Sequence, residues 1–446
     1  MAGQIIPGVQ VTLVPTNENL NIPLSTAEVC FIGTGKTTIS VEDEVVTKGS
    51  GDHDNLNVES ERTVSSLASK IWDEKQNQYI LDTDYKLDSE NPNAVTWISG
   101  GNAPTAGTKY TVSYEIDKID SDYDFKSFFT ISDIIKEYGE INTTNTISLA
   151  SYLYFLNGGK KINVVQVKPV SGNITYAGFT SALGKLALKE VDIIVPLFTN
   201  STGFETLFTD VKAHVYQLSQ PSEGKNRIAF VCPQNTTTFN GYKTLGTSLA
   251  SSRMILTYPH TISVSINGSV YSVSGMYLNA AMCGILGDTD TKLSDPLTRK
   301  ELFGIYEVPT TLLRSQIEEL ITNGVLVVET SPLQTIRVVY GITTDTTSTN
   351  TIEISLVRIG DFFTKLLKNI LDKMFIGTTI ESGTFSSIEG TIRQIVESLV
   401  KSRVLIGSSN LSIARDSQNP TKINISLRIT PVYPLNYIDV KFSIGL

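Results

Sequence analysis

Apolar spacing changes three times along the chain, and each change marks a different kind of element. Near the start, Val9, Val11 and Leu13 fall on one side of a two-residue alternation and Gln10 and Thr12 on the other, between Pro7 and Pro15. That pattern predicts one extended strand or arm, and the loop-like NENLNIP that follows offers it no local partner. Residues 27–33, AEVCFIG, form a short continuous apolar run suited to a buried strand.

Residues 36–118 are rich in Thr, Ser, Asp and Asn, with strand-like pieces at Tyr79–Leu81, Val95–Ile98 and Tyr110–Tyr114. Gly- and Pro-dense turns such as SGGNAPTAGT (99–108) separate them. Short strands at that spacing predict a small β-sandwich, with Trp72 and Trp97 as its core anchors. The flanking chain alternates strands and helices, so this piece reads as an insertion.

From 128 to about 330 the pattern is α/β. Helices are predicted over 131–138, 148–156 and 177–189, and apolar strands over 162–167, 191–198, 227–233 and 254–259. Such strands, spaced by helix-length segments, imply a helix-covered sheet of parallel or mixed direction. Further on, Phe362, Phe363, Leu366, Leu367, Ile370, Leu371 and Met374 recur at three and four residues, a wide helical stripe with Lys365, Lys368 and Lys373 on or near the other side as a solvated or intersubunit face. A second helix is expected around 387–403. Ile423, Ile425, Leu427 and Ile429 then alternate as a strand, and after Pro431 and Pro434 so do Ile438, Val440, Phe442 and Ile444.

Composition narrows the class. Hydrophobic residues are 40% and charged residues 18% of 446, an ordinary globular balance long enough for two to four domains. The net charge of −9 argues against a broad nucleic-acid surface. Cys30, Cys232 and Cys283 are odd in number, far apart and without metal-ligand spacing, which predicts buried free thiols. The start, MAGQIIPGVQ, has no basic segment followed by an apolar core, and no apolar run of about 18 residues predicts a membrane span.

Candidate chemistry is sparse. GTGKTT (33–38) follows a strand and ends like a phosphate-binding loop, but Cys30 stands where the first glycine of that motif belongs. The following ISVEDEVV reads as strand, so the helix N-terminus that would supply dipole and amides is missing. Of the three histidines, His53 lies in GDHDN, read as a solvated turn, and His214 and His260 have no partner at metal spacing. No G-x-S-x-G elbow occurs. No catalytic, cofactor-binding or metal-binding residue is therefore assigned, no cofactor is expected, and the chain does not read as an enzyme. The rival reading, a nucleotide-driven motor, rests on GTGKTT alone.

One resemblance accounts for the order of the remaining segments. PGVQV, AEVCFIGTG, TISDIIKEYG and ASYLYFLNGGKKINVVQV, then DPLTRKELFGI, IEELITNGVLVVE, TIRVVYGITT, the long helix ending MFIG and the closing PVYPLNYIDVKFSI resemble contractile phage tail sheath proteins. The inserted stretch resembles a β-domain that decorates many phage sheaths. The resemblance implies an α/β (α+β) multidomain fold: a mixed-sheet sheath core, an inserted β-sandwich-like domain and extended terminal strands. It divides the chain into an N-terminal arm (1–20), an α/β sheath domain (21–35 with 119–330), the insert (36–118), a C-terminal sheath domain (331–435) and a C-terminal arm (436–446). It implies hexameric rings stacked as a helical homo-oligomer around a tail tube protein, with baseplate and tail terminator proteins as further partners. Direct nucleic-acid contact and stable membrane insertion are not implied. Such a subunit would reside in the contractile tail of a virion, after assembly in the host cytoplasm, or in a phage-derived bacteriocin or other injection device. The arms would complete a neighbour's sheet through Val9, Val11 and Leu13 at one end and Val440, Phe442 and Ile444 at the other.

Overall fold

The computed structural model describes residues 27–198, 204–233, 237–309 and 312–444. They fall into two compact bodies, 27–368 with 433–444 and 369–432.

The larger body begins with β1 (Val29–Gly33), whose five residues are all buried. Eight strands follow before the chain resumes its α/β course: β2 (Thr38–Thr47), β3 (His53–Asn55), β4 (Val64–Leu67), β5 (Lys70–Asp73), β6 (Gln78–Ile80), β7 (Tyr85–Leu87), β8 (Ala94–Trp97) and β9 (Lys109–Asp117). They make an antiparallel sheet ordered β2-β9-β5-β6, with β4 also on β9, and a second sheet ordered β3-β8-β7. The two share a core of Val46, Ile71, Tyr85, Val95, Trp97, Tyr110 and their neighbours. Trp97 is 5% exposed there, with Tyr79 and Tyr110 edge-on to its ring, but Trp72 is 43% exposed. The expectation that both tryptophans anchor a core is corrected: on β5, Ile71 and Asp73 point inward, which turns Lys70 and Trp72 outward. GDHDN is likewise no solvated turn, since His53–Asn55 is β3 and Asp54 is buried.

The α/β course runs through β10 (Lys126–Phe128), β11 (Ile162–Gln166), β12 (Ile193–Pro196), β13 (Ile228–Val231) and β14 (Met254–Tyr258). The hairpin β15 (Thr261–Ile266) and β16 (Ser269–Ser274), with β17 (Ile305–Glu307), forms a separate small sheet before β18 (Val325–Thr330) and β19 (Ile336–Val338). The main sheet is ordered β10-β11-β1-β12-β13-β14-β18-β19. Its six central strands are parallel, and only the edge strands β10 and β19 run antiparallel.

Strand pleating splits that sheet between two cores. Val29, Phe31, Ile162, Val164, Ile193, Val195, Ile228 and Phe230 face one side, against α1 (Ile131–Tyr138), α2 (Thr146–Leu156) and α6 (Met276–Leu286). Cys30, Ile32, Val165, Val167, Ile194, Ala229 and Val231 face the other, against α3 (Tyr176–Gly184), α4 (Phe204–Leu218), α5 (Phe239–Leu249) and α7 (Arg314–Thr322). A parallel sheet buried on both faces explains the continuous apolar runs of its strands. The helix expected over 177–189 stops at Gly184.

After α8 (Thr349–Ile352), the long helix α9 (Ile354–Phe375) starts eight residues before the stripe that predicted it. Two of its lysines are engaged by their own chain, Lys365 pairing with Asp192 and Lys368 donating to the Glu223 carbonyl at 2.9 Å, while Lys368 and Lys373 lie exposed. In the smaller body, α10 (Thr384–Lys401) buries Ile388, Ile392, Ile395 and Leu399 at helical spacing. β20 (Leu405–Arg415) and β21 (Ile423–Pro431) then form a long antiparallel hairpin, with no third strand among the described residues.

Candidate assembly surfaces

The loop after β1 lies where the strand order of the main sheet reverses, with β11 on one side and β12 on the other, the place where open α/β sheets commonly take ligands. Its polar groups are spent on the protein itself. Thr34 N–H donates to Thr146 Oγ1 at 2.7 Å, Lys36 N–H to the Tyr138 carbonyl at 2.7 Å, and Gln166 Nε2 to the Gly35 and Lys36 carbonyls. Lys36 Nζ reaches Glu115 and Ser40, each at 2.6 Å. Burial pushes the Glu115 carboxyl up, but Lys36, Thr38 and Ser40 together hold it below the usual range. The glycines serve close packing: a Cβ on Gly33 would lie 2.7 Å from Thr146 Oγ1, and one on Gly35 2.9 Å from Tyr138 Cβ. The loop then enters β2 instead of a helix, and α2, whose N-terminus is nearest, is capped by Asn145 on the Ser148 N–H. A cleft of about 600 Å³ remains beside the loop, but two of the loop amides that a phosphate would draw on, those of Thr34 and Lys36, are already used.

The other candidates are structural as well. His53 Nδ1 lies 2.8 Å from Thr96 Oγ1. His214 is pulled down to about 4 by burial and by the Arg227 guanidinium beside it, and burial also lowers His260. The three cysteines are buried free thiols, each pushed up by burial. Among the described residues no His, Cys, Asp or Glu cluster could hold a metal ion, and no helix is long and apolar enough to cross a membrane.

What the molecule does present is unpaired strand surface. After Val432 the chain runs extended, and among the described residues no backbone hydrogen bond joins 433–444 to anything. Val440, Phe442 and Ile444 are 76%, 83% and 85% exposed. Tyr433, Leu435, Tyr437 and Ile438 before them are exposed too. The alternation of 438–444 thus gives extended chain that pairs with no strand among the described residues. Val9, Val11 and Leu13 lie outside the described residues. The hairpin is the second such surface: Leu411, Ile413, Ile423, Ile425, Leu427 and Ile429 are only half-buried. Two strands alone are marginal in water, and among the described residues no further strand pairs with either edge of the hairpin or completes the cover of its apolar face. The alternation of 423–429 signals the strand, but nothing in it says that one partner is all it has.

No family model matches the chain. The tail sheath protein of Mycobacterium phage Bxz1 is 24% identical to it over 457 aligned residues, covering 92% of this chain and 76% of that protein. The tail sheath protein of Bacillus phage SP01 is 25% identical over 441, covering 94% and 70%. Among solved structures, the contracted helical sheath of the anti-feeding prophage superposes with a TM-score of 0.60 at 18% identity, over 73% of this chain and 90% of that one. The contracted sheath of the extracellular contractile injection system PVC gives 0.55 at 17%, over 72% and 86%. A sheath tail protein of Desulfitobacterium hafniense gives 0.50 at 9%, over 96% and 100%. The chain thus shares its mixed α/β fold with contractile sheaths, and its sequence is similar along nearly its whole length to phage tail sheath proteins.

Proposed function

We propose that this chain is the repeating subunit of a phage tail sheath that polymerises around a tail tube and contracts to drive the tube through a target cell envelope. The observation that carries this reading is the exposed, extended C-terminal segment, whose backbone is unpaired among the described residues. Backbone N–H and C=O groups and alternating apolar side chains can be satisfied together by strand addition to a neighbouring copy. Burying Val440, Phe442 and Ile444 in that way would contribute about 1.5–3 kcal/mol each before ordering costs. Val9, Val11 and Leu13 are assigned the same role at the other end. Residues 36–118 form the outward-facing domain, and a baseplate and a tail terminator bound the sheath.

On this reading no nucleotide is hydrolysed and the protein is not an enzyme. The extended sheath is metastable, and contraction releases energy by improving contacts between subunits. The chain works in the virion tail after assembly in the host cytoplasm. A second reading, the sheath of a headless injection device, is favoured by the fold shared with the anti-feeding prophage and PVC sheaths. A DNA-filled head on the purified particle decides between them.

Deleting residues 436–446 tests the arm. Folded, soluble subunits that form no sheath under negative-stain microscopy are expected; sheaths of normal length and diameter would sink the proposal.

A further inference from the structure

The exposed tail makes one polar side-chain contact near its root. Asn436 Nδ2 lies 3.4 Å from Glu353 Oε2 and 3.5 Å from the Tyr340 hydroxyl. Glu353 sits in the break between α8 and α9, bridged to Ile342, and is 2% exposed. Two buried oxygens there have no hydrogen-bond partner, Glu353 Oε1 and Asn436 Oδ1. With Glu353 ionised both are acceptors, and neither can help the other. A single proton on Oε1 resolves both. The protonated carboxyl would gain the O–H donor that Oδ1 lacks, while Asn436 N–H donates to Oε2.

We propose that Glu353 and Asn436 form a protonated acid–amide clamp that fixes the root of the C-terminal tail and releases it when the acid ionises. The inference rests on the reading of that tail as an intersubunit arm, for which it supplies the positioning residues.

The surroundings favour the neutral acid. Burial raises the Glu353 carboxyl to about 7, against the downward pull of hydrogen bonds from Tyr340 and Asn436. The polar groups facing it are the Tyr340 hydroxyl and the Asn436 amide, with Tyr437 of the tail beyond Tyr340; burial first, then Glu353 and Tyr437, raise Tyr340, so it stays a neutral donor. The sign follows. A clamp that needs the proton on Glu353 holds at pH well below about 7 and is lost as the pH climbs through that value. Acid holds the tail on its own body, and neutral to alkaline solution frees it to reach a neighbour.

A spin label on Leu435→Cys in the dilute, unassembled full-length chain reads this directly, because the three native cysteines are buried. The ratio of immobilised to mobile label should fall about thirtyfold between pH 5.5 and 8.5. Glu353→Gln cannot ionise and keeps an N–H donor for Oδ1, so its label should stay immobilised throughout. Asn436→Leu should free the label at both pH values. Equal mobility at the two pH values in the labelled parent, or an unchanged pH response in Glu353→Gln, would overturn the proposal. Should Glu353→Gln not fold, Asn436→Leu decides alone: a retained pH response overturns the clamp, a lost one supports it. Unassembled chains report on the clamp whether or not the tail adds to a neighbour, which the deletion of 436–446 tests separately.

Discussion

Single buried carboxylates organise much of this molecule. Asp54 accepts from Trp97 Nε1 at 2.8 Å, from the Tyr110 hydroxyl at 3.0 Å and from Gly49 N–H at 2.7 Å. Asp54→Ala would strand those donors in the core of 36–118 and should cost about 2–3 kcal/mol, read as an earlier thermal transition by tryptophan fluorescence. Lys36→Ala removes a part-exposed ion pair and should cost no more than about 1 kcal/mol. It should leave a fluorescent nucleotide analogue unbound, as in the parent. His214 gives the molecule an acid limit. Its folded value near 4 lies below the ordinary value of about 6.5, so the unfolded chain takes up the proton more readily. Stability contributed by the neutral ring is intact above 6.5 and is lost as the pH falls toward 4. The melting temperature should drop across that window, and less steeply in His214→Gln.

At the scale of elements, period-two spacing made β9 visible as Tyr110, Val112 and Tyr114, and continuous apolar runs made β1, β11 and β14 visible, because burial on both faces leaves no room for polar residues. Trp72 was misread because Ile71 and Trp72 are adjacent and only the register of β5 decides which one faces inward. The start of α9 was missed since Ser355 and Arg358 are polar yet buried, which breaks the stripe that betrays the rest. For the candidate surfaces, the sequence supplies the alternation of 438–444 but not its isolation, which depends on what the rest of the chain leaves unpaired. Asn436 was invisible as a contact, because Glu353 and Tyr340 come to it from more than eighty residues away. The hairpin yields a prediction of its own. Ile425→Asp places a charge on a half-buried face. It should leave the melting of the unassembled subunit within about 1 kcal/mol of the parent, yet abolish long tubes in electron micrographs.

Over the whole molecule, the β2–β9 insert is closed at its base by a narrow seam, and Arg62 also ties it to Asp122 just beyond. Thr38 pairs with Asp117, and Lys118 N–H donates to the Thr37 carbonyl at 3.0 Å. The strands between carry their own aromatic core. Replacing residues 38–117 by a short glycine-rich turn should therefore give a soluble chain whose remaining circular dichroism and cooperative melting persist, and loss of the melting transition would show that the main body leans on the insert. The same seam has a practical meaning. Two chain ends held a hydrogen bond apart form a socket, so an unrelated module with adjacent termini could be spliced there and carried in every copy along a tube, turning a structural subunit into a regularly spaced display scaffold.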